Sequence, residues 1–297
     1  MSKIAIEYTS PVDLIPELHD HYKDVGIIKV LDSLSWGGPL VLRGPKGSGK
    51  TLALDQWCAL NGVPRVALDC SEDTGSVDFI GSYSLRGNET VFTLGALTTA
   101  IEVANDVGMC VIVLEEINAL TAQSQKMLNP MGDYRRSIHA PKIGKVFNLA
   151  GDAKLWVVAT MNPKSGNYAG IYSLNQDMKS RWTVADVPYM SARHELALIH
   201  DTISLSGAKL PKLIAERLLT LAAESRPGSD SDTPLGKYAL STRDLVICID
   251  NIKRVGVDTG LLLLLNKFDH DFRANAIMRI KDIFNVDLTK VRLFDHI

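Results

Sequence analysis

The eight residues Gly44-Pro-Lys-Gly-Ser-Gly-Lys-Thr51 fit the pattern G-x-x-x-x-G-K-[ST]. A short apolar run, Leu40-Val-Leu, precedes them and a helix-forming stretch, Leu52 to Ala59, follows. The spacing therefore predicts strand, loop and helix, the context in which the pattern has physical meaning. Glycines let the backbone curl until successive N–H groups and a helix N-terminus converge on phosphate oxygens. Gly44, Pro45, Lys46, Gly47, Ser48, Gly49 and Leu52 then form the cradle. Lys50 supplies a mobile cation to the β- and γ-phosphates, and the Thr51 hydroxyl is offered to Mg2+. This is the chemistry of a nucleoside triphosphate site.

A second element, Val111-Ile-Val-Leu-Glu115-Glu116, is an apolar run that ends in two carboxylates. A strand buried up to Leu114 delivers both acids to its carboxyl end, where open α/β sheets bind ligands. Glu115, nearer the strand, is the candidate for the metal shell, and Glu116 the candidate general base for an attacking water. An exposed acidic strand end is the plain alternative.

The elements that must position these groups follow from the apolar pattern. Leu40-Val-Leu, Val66-Ala-Leu, Cys110 to Leu114 and Leu155 to Ala159 are short continuous apolar runs separated by helical stretches, with a fifth run at Val184 to Pro188. Such runs are the signature of parallel strands buried on both faces. After Pro188 the pattern changes. Ala192 to Ser204, Lys212 to Glu224, Thr242 to Arg254 and Asp269 to Phe284 repeat apolar residues at three- and four-residue spacing without strands between them. The expectation is an α/β domain over residues 1–188 and a small all-α domain over 189–297.

Composition agrees with a globular chain and excludes several classes. Of 297 residues 46% are hydrophobic and 22% charged, which rules out disorder, coiled coil and collagen. A net charge of -2 gives no global attraction to nucleic acid or to anionic membranes. Cys58, Cys70, Cys110 and Cys248 are widely separated and form no metal or disulfide pattern, so they read as buried thiols in a reducing compartment. The N-terminus has no long apolar stretch, and Leu261 to Leu265 is far shorter than the ~20 residues of a membrane span. A cytoplasmic location is expected.

Further along, Ala159-Thr-Met-Asn162-Pro163, Lys179-Ser-Arg181-Trp182 and Leu240-Ser-Thr-Arg243 appear in order, after the run Leu94-Gly-Ala-Leu and the segment Val113-Leu-Glu-Glu-Ile-Asn118. With the phosphate loop, this set resembles the AAA+ ATPases, and within them the MoxR-like and dynein/midasin-related group, over roughly residues 20–285. The resemblance implies a P-loop AAA+ parallel sheet flanked by helices and followed by a helical lid. It implies Mg2+-dependent ATP hydrolysis, with Asn162 as the first sensor on the γ-phosphate or lytic water, Arg181 as an arginine finger and Arg243 as the second sensor. A finger that reaches a neighbour's nucleotide implies a ring, in this group a hexamer. A chaperone-like role on a protein complex, with a von Willebrand A domain partner, is implied as well. One departure is that Glu115 stands where the group usually has Asp, so the metal ligand is one methylene longer.

The resemblance also marks Phe79 to Phe92 as a loop facing a ring channel, with Tyr83 and Phe92 as candidate gripping aromatics, although both could equally pack under a hairpin at Gly87-Asn88. Asp133 to Asp152 resembles the extra hairpin of the group, Ser225 to Leu240 is a polar loop preceding Arg243, and Val25 to Ile28 is a candidate wall for adenine. A second reading is an AAA+ protein acting on nucleic acid through Arg135, Arg136, Lys142 and Lys145. A third, a monomeric P-loop kinase, leaves Arg181, Arg243 and the helical domain without a role.

Overall fold

The computed structural model describes residues 10–19, 26–86, 89–132, 137–163, 172–205, 212–226, 235 and 238–291. The chain divides into two units, Met1–Gly44 with Gly49–Val187, and Pro45–Ser48 with Pro188–Ile297.

In the first unit the chain runs α1 (Ile27–Leu34), β1 (Leu40–Arg43), α2 (Lys50–Asn61), β2 (Arg65–Asp69) and a single turn α3 (Ser76–Phe79). It continues through β3 (Gly81–Arg86), β4 (Glu89–Leu94), α4 (Ala96–Val107), β5 (Met109–Glu115), α5 (Ala122–Lys126), β6 (Ser137–Ala140) and β7 (Lys145–Asn148). It closes with β8 (Lys154–Met161), α6 (Gln176–Arg181) and β9 (Thr183–Asp186). Five strands form one sheet in the order β2-β5-β8-β1-β9, and every neighbouring pair is parallel. These are the five runs expected from the sequence.

Both faces of the sheet are covered, which is why its strands lack polar alternation. Val41, Ile112, Leu114, Val157 and Ala159 point to one side, against Leu97, Ala100, Ile101 and Ala104 of α4. Their sequence neighbours Leu40, Leu42, Val111, Val113, Trp156 and Val158 point to the other, against Ile27 and Leu31 of α1 and Ala53, Leu54 and Trp57 of α2. Trp57 and Trp156 meet edge to face at 5.2 Å, with Trp36 beside both. The buried indole of Trp57 does not strand its N–H, which donates to Asp32 at 2.7 Å.

Two hairpins leave this layer. β3 and β4 pair antiparallel, with Tyr83 opposite Phe92, and β6 pairs with β7. The second hairpin lies inside the insertion expected from the sequence. In the first, Phe92 is buried and stacks edge to face on Tyr83 at 5.3 Å, so it is core and not available as a gripping aromatic. Tyr83 is 48% exposed and Leu85, two residues on, 79%.

The second unit contains α7 (Ala192–Leu205), α8 (Lys212–Ser225), α9 (Thr242–Val255), α10 (Val257–Leu265) and α11 (Arg273–Phe284). Ile199, Leu218, Leu221, Leu245, Ile249, Leu261 and Ile280 share one core. α10 was not among the expected helices. It is apolar almost all round, a pattern without helical period, and it packs so closely that a Cβ on Gly260 would stand 2.5 Å from Ile252 Cγ1. Asp269 to Phe284 is also not a single helix, because a 3-10 turn, His270–Phe272, precedes α11.

A buried polar network fixes the entry to α9. Glu195, 1% exposed, accepts two bonds from Arg226 at 2.8 Å and one from Thr242 Oγ1 at 2.6 Å. Arg226 also donates to the Leu240 carbonyl at 2.7 Å and lies over the Tyr189 ring at 4.2 Å. Ser241 caps α9 in a capping box with Asp244. Burial pushes the Asp244 carboxyl up, but hydrogen bonds from Lys267 and Ser241 outweigh it and hold the group below the usual carboxylate range.

All four cysteines are buried, and burial pushes each thiol up to about 12. Among the described residues no helix is long and apolar enough to cross a membrane.

Candidate nucleotide site

Strand order places the chemistry. β1 lies between β8 and β9, while the next strand in sequence, β2, lies at the far edge, so the order reverses beside β1. Ligands bind outside the carboxyl ends of strands at such a switch point. Arg43 is in register with Met161 and Leu114 with Ala159, so β1, β8 and β5 end side by side. Gly44 N–H donates to the Met161 carbonyl at 3.1 Å, which ties the start of the loop to the end of β8.

The loop has the backbone its glycines predict. Gly47 and Gly49 take φ of +75° and +87°, the left-handed region that favours glycine, and α2 begins at Lys50, two residues earlier than the sequence suggests. Open space surrounds the position of a Cβ on Gly49. The tip, Pro45–Ser48, groups with the second unit, where a Cβ on Gly47 would stand 2.6 Å from Ser241 Cβ. The Ser48 hydroxyl is buried with no partner among the described residues.

Three strand ends then meet on α2. The Lys50 ammonium, buried at 8% exposure, donates to the Gly44 carbonyl at 2.8 Å and approaches Asn162 Oδ1 at 3.4 Å. Thr51 Oγ1 donates to Glu115 Oε2 at 3.0 Å. The other Glu115 oxygen accepts from Arg65 Nη2 at 2.9 Å, and Arg65 Nε pairs with Asp55 at 2.9 Å. Asp55 is one turn beyond Thr51 on the same face of α2. Burial pushes its carboxyl up, and Arg65 beside it acts in the opposite direction.

Glu116 leaves the strand at φ 53°, ψ 46°, a left-handed conformation that costs a non-glycine residue on the order of 1 kcal/mol. Its N–H donates to Thr160 Oγ1 at 3.2 Å, its carbonyl accepts from Ala119 at 2.7 Å, and its side chain is exposed. Asn118 Nδ2 donates to the Asn162 carbonyl at 3.2 Å, holding the first turn after β8 against the turn after β5.

Of the residues expected from the sequence, Gly44, Gly49, Lys50, Thr51, Glu115, Glu116 and Asn162 thus come together in the first unit. Arg181 does not join them: it ends α6, exposed, and donates to the Asp177 carbonyl of its own helix at 3.1 Å. Arg243 belongs to the second unit and is exposed in the first turn of α9. For the adenine wall, Val25 is outside the described residues, and Ile27 is buried in the core beside α2.

Sequence reasoning missed Arg65, Thr160 and Asn118. A lone arginine opening a strand carries no local signal, and Thr160 and Asn118 matter only through the carbonyls and N–H groups they satisfy across strands. The donor set of the first unit fits a nucleoside triphosphate with Mg2+: a left-handed Gly49 with open space beside it, a buried ammonium, and a hydroxyl held by a carboxylate.

Comparison with known proteins agrees with this geometry. Residues 39–182 match the AAA domain of the dynein-related subfamily. NorQ of Paracoccus denitrificans is 28% identical over 220 residues, 74% of this chain and 75% of its own length. CbbQ of Hydrogenophilus thermoluteolus is 25% identical over 176 residues, 59% of this chain and 62% of its own. The uncharacterized protein YojN of Bacillus subtilis is 27% identical over 259 residues, 84% and 79% of the two chains. With its parallel sheet and its phosphate loop at the switch point, the segment 39–182 is an AAA domain of the dynein-related type, and the chain is similar to NorQ and CbbQ.

Proposed function

We propose that this protein is a Mg2+-dependent ATPase that works as a hexameric ring and remodels or activates a protein complex. The observation that carries the reading is the double clasp at the strand ends. Lys50 lies between the loop and Asn162, and Thr51 lies against Glu115, so both groups that would meet the triphosphate are preset by partners from neighbouring strands.

ATP supplies the phosphoanhydride bond, and Mg2+ the charge that offsets its oxygens. Lys50 would exchange its carbonyl and amide partners for phosphate oxygens. Thr51 and Glu115 would hold the metal. Glu116, exposed at the strand end, would take the proton of the attacking water, and the Asn162 amide would orient that water or the γ-phosphate. Arg181, exposed at a helix end, would serve the nucleotide of an adjacent subunit, and Arg243 would report the γ-phosphate to the helices.

The client is a protein assembly, with a von Willebrand A domain protein as adaptor, and Tyr83 with Leu85 on the exposed strand β3 is the surface offered to it. Four buried free thiols suit a reducing, cytoplasmic setting. The nucleic-acid reading loses a cation, because Lys145 is paired with Glu102 at 2.6 Å and lies over the Phe147 ring. Arg135, Arg136 and the Lys142 side chain are outside the described residues.

ATP hydrolysis and binding of a fluorescent ATP analogue test the reading together. Wild-type protein should turn over ATP only with Mg2+, and Lys50→Ala should lose binding. Glu116→Gln should bind the analogue yet hydrolyse ATP about 10²- to 10⁴-fold more slowly. Full turnover by Glu116→Gln, or none by wild type, would refute it.

A further inference from the structure

The ion triad of Asp55, Arg65 and Glu115 does more than the nucleotide reading requires. A metal-ligand carboxylate needs one free oxygen and a fixed position, yet both Glu115 oxygens are engaged, one by the Thr51 hydroxyl at 3.0 Å and one by Arg65 at 2.9 Å. The three side chains are 20%, 16% and 24% exposed in that order, so their charges are only partly screened by water. Arg65 contributes one positive charge beside two carboxylates at the residue pair expected to hold a divalent cation. Its guanidinium donates to Glu115 through Nη2, while Nε lies 2.9 Å from Asp55 as an ion pair without hydrogen-bond alignment.

We infer that Arg65 is a positioning residue that weakens and disciplines the metal site. It cancels one carboxylate charge and holds the longer Glu115 side chain against Thr51, so that Glu115 acts as an anchored hydrogen-bond acceptor and not as a free chelating arm. Arg65 opens β2 opposite Val111, four residues before Asp69, which is in register with Glu115, so the arginine side chain runs toward the strand end to reach the Glu115 carboxylate and limits where it goes. The inference rests on the Mg2+-ATP reading above and assigns it a metal affinity set from outside the phosphate loop.

The test reads binding and needs no turnover. Affinity of a fluorescent ADP analogue is measured in EDTA and across a magnesium titration, for wild type, Arg65→Met and Arg65→Lys. Even at the dielectric of water, one unit of charge about 6 Å from a divalent ion changes its affinity by about tenfold, so tenfold is the smallest effect expected at this partly buried site. Arg65→Met should therefore tighten the magnesium midpoint about tenfold or more while leaving affinity in EDTA within about twofold of wild type. Arg65→Lys, which keeps the charge, should stay within about threefold of the wild-type midpoint. An arginine that only braced the fold would lower thermal stability without tightening magnesium, and an unchanged or weaker midpoint in Arg65→Met overturns the inference.

Should Arg65→Met fail to fold, Asp55→Asn gives the opposite sign. It removes a carboxylate and leaves Arg65 wholly to Glu115, so the midpoint should weaken about threefold or more, and an unchanged or tighter midpoint overturns the inference. Wild-type protein that binds no nucleotide with or without magnesium would instead overturn the ATPase reading itself, a result distinct from normal binding with an unmoved midpoint.

Discussion

Replacing Arg226 by methionine keeps the unbranched apolar stem and removes the cation paired with Glu195, a carboxylate 1% exposed. After the change Glu195 keeps its bond from Thr242 but loses two charge-assisted bonds at 2.8 Å. Breaking a buried pair from one side costs about 3–5 kcal/mol, because a charge is left without compensation. The Leu240 carbonyl loses a 2.7 Å donor, worth about 1 kcal/mol more. A loss of about 4–6 kcal/mol is expected, a large part of the roughly 5–15 kcal/mol that holds a domain together. Urea unfolding followed by far-UV circular dichroism reads the helices, while tryptophan fluorescence reads the first unit, where Trp36, Trp57, Trp156 and Trp182 all lie. The circular dichroism transition should move to lower urea. Glu195→Gln should cost less, about 2 kcal/mol, since Arg226 is 14% exposed and keeps Leu240 and Tyr189. The double variant should be more stable than Arg226→Met alone, because the uncompensated charge is gone. A loss under about 1 kcal/mol in Arg226→Met, or a double variant as unstable as the sum of the singles, would refute the reasoning.

Arg181→Ala should still assemble with ATP but lose turnover by about 10³-fold or more, and full activity would remove the arginine from its assigned role. Glu115→Asp shortens the metal ligand to the form usual in the group and releases Arg65. Its magnesium midpoint should shift while Lys50-dependent nucleotide binding in EDTA persists, and an unmoved midpoint would take Glu115 out of the metal shell. Asp244 carries a pH signature. Its folded-state carboxyl titrates below the ordinary 3.8, so its stabilising contribution is complete above that value and is lost as pH falls through the lower folded value. Asp244→Asn should flatten the acid limb of the stability curve below about pH 4, and an identical limb would show that other carboxylates dominate it.

The sheet, and the strand ends where the phosphate loop and the acidic pair sit, were legible because both rest on local pattern. Leu40-Val-Leu and Cys110 to Leu114 are apolar without alternation since two helical layers cover them, and that pattern survives in a single sequence. The phosphate loop and the acidic pair sit at strand ends that the same runs locate. What escaped is what needs distance. α10 has no polar face to set a period, and Phe92 looks like any aromatic beside a turn until Tyr83 is seen to pair with it. Arg65 is separated from Glu115 by 50 residues, and the pairing of β2 with β5 puts it opposite Val111, from where its side chain reaches the carboxylate. Thr160, a polar residue inside the apolar strand β8, was a visible irregularity, and its hydroxyl turned out to hold the Glu116 N–H.

The central claim is a ring whose sites depend on ATP, and the solution mass of Glu116→Gln protein with Mg2+-ATP and without nucleotide tests it most directly. A hexameric ring would show a nucleotide-dependent rise to six times the 32.5 kDa chain, with Lys50→Ala remaining small under the same conditions. A single-chain mass in both states, with ATP bound, would contradict it.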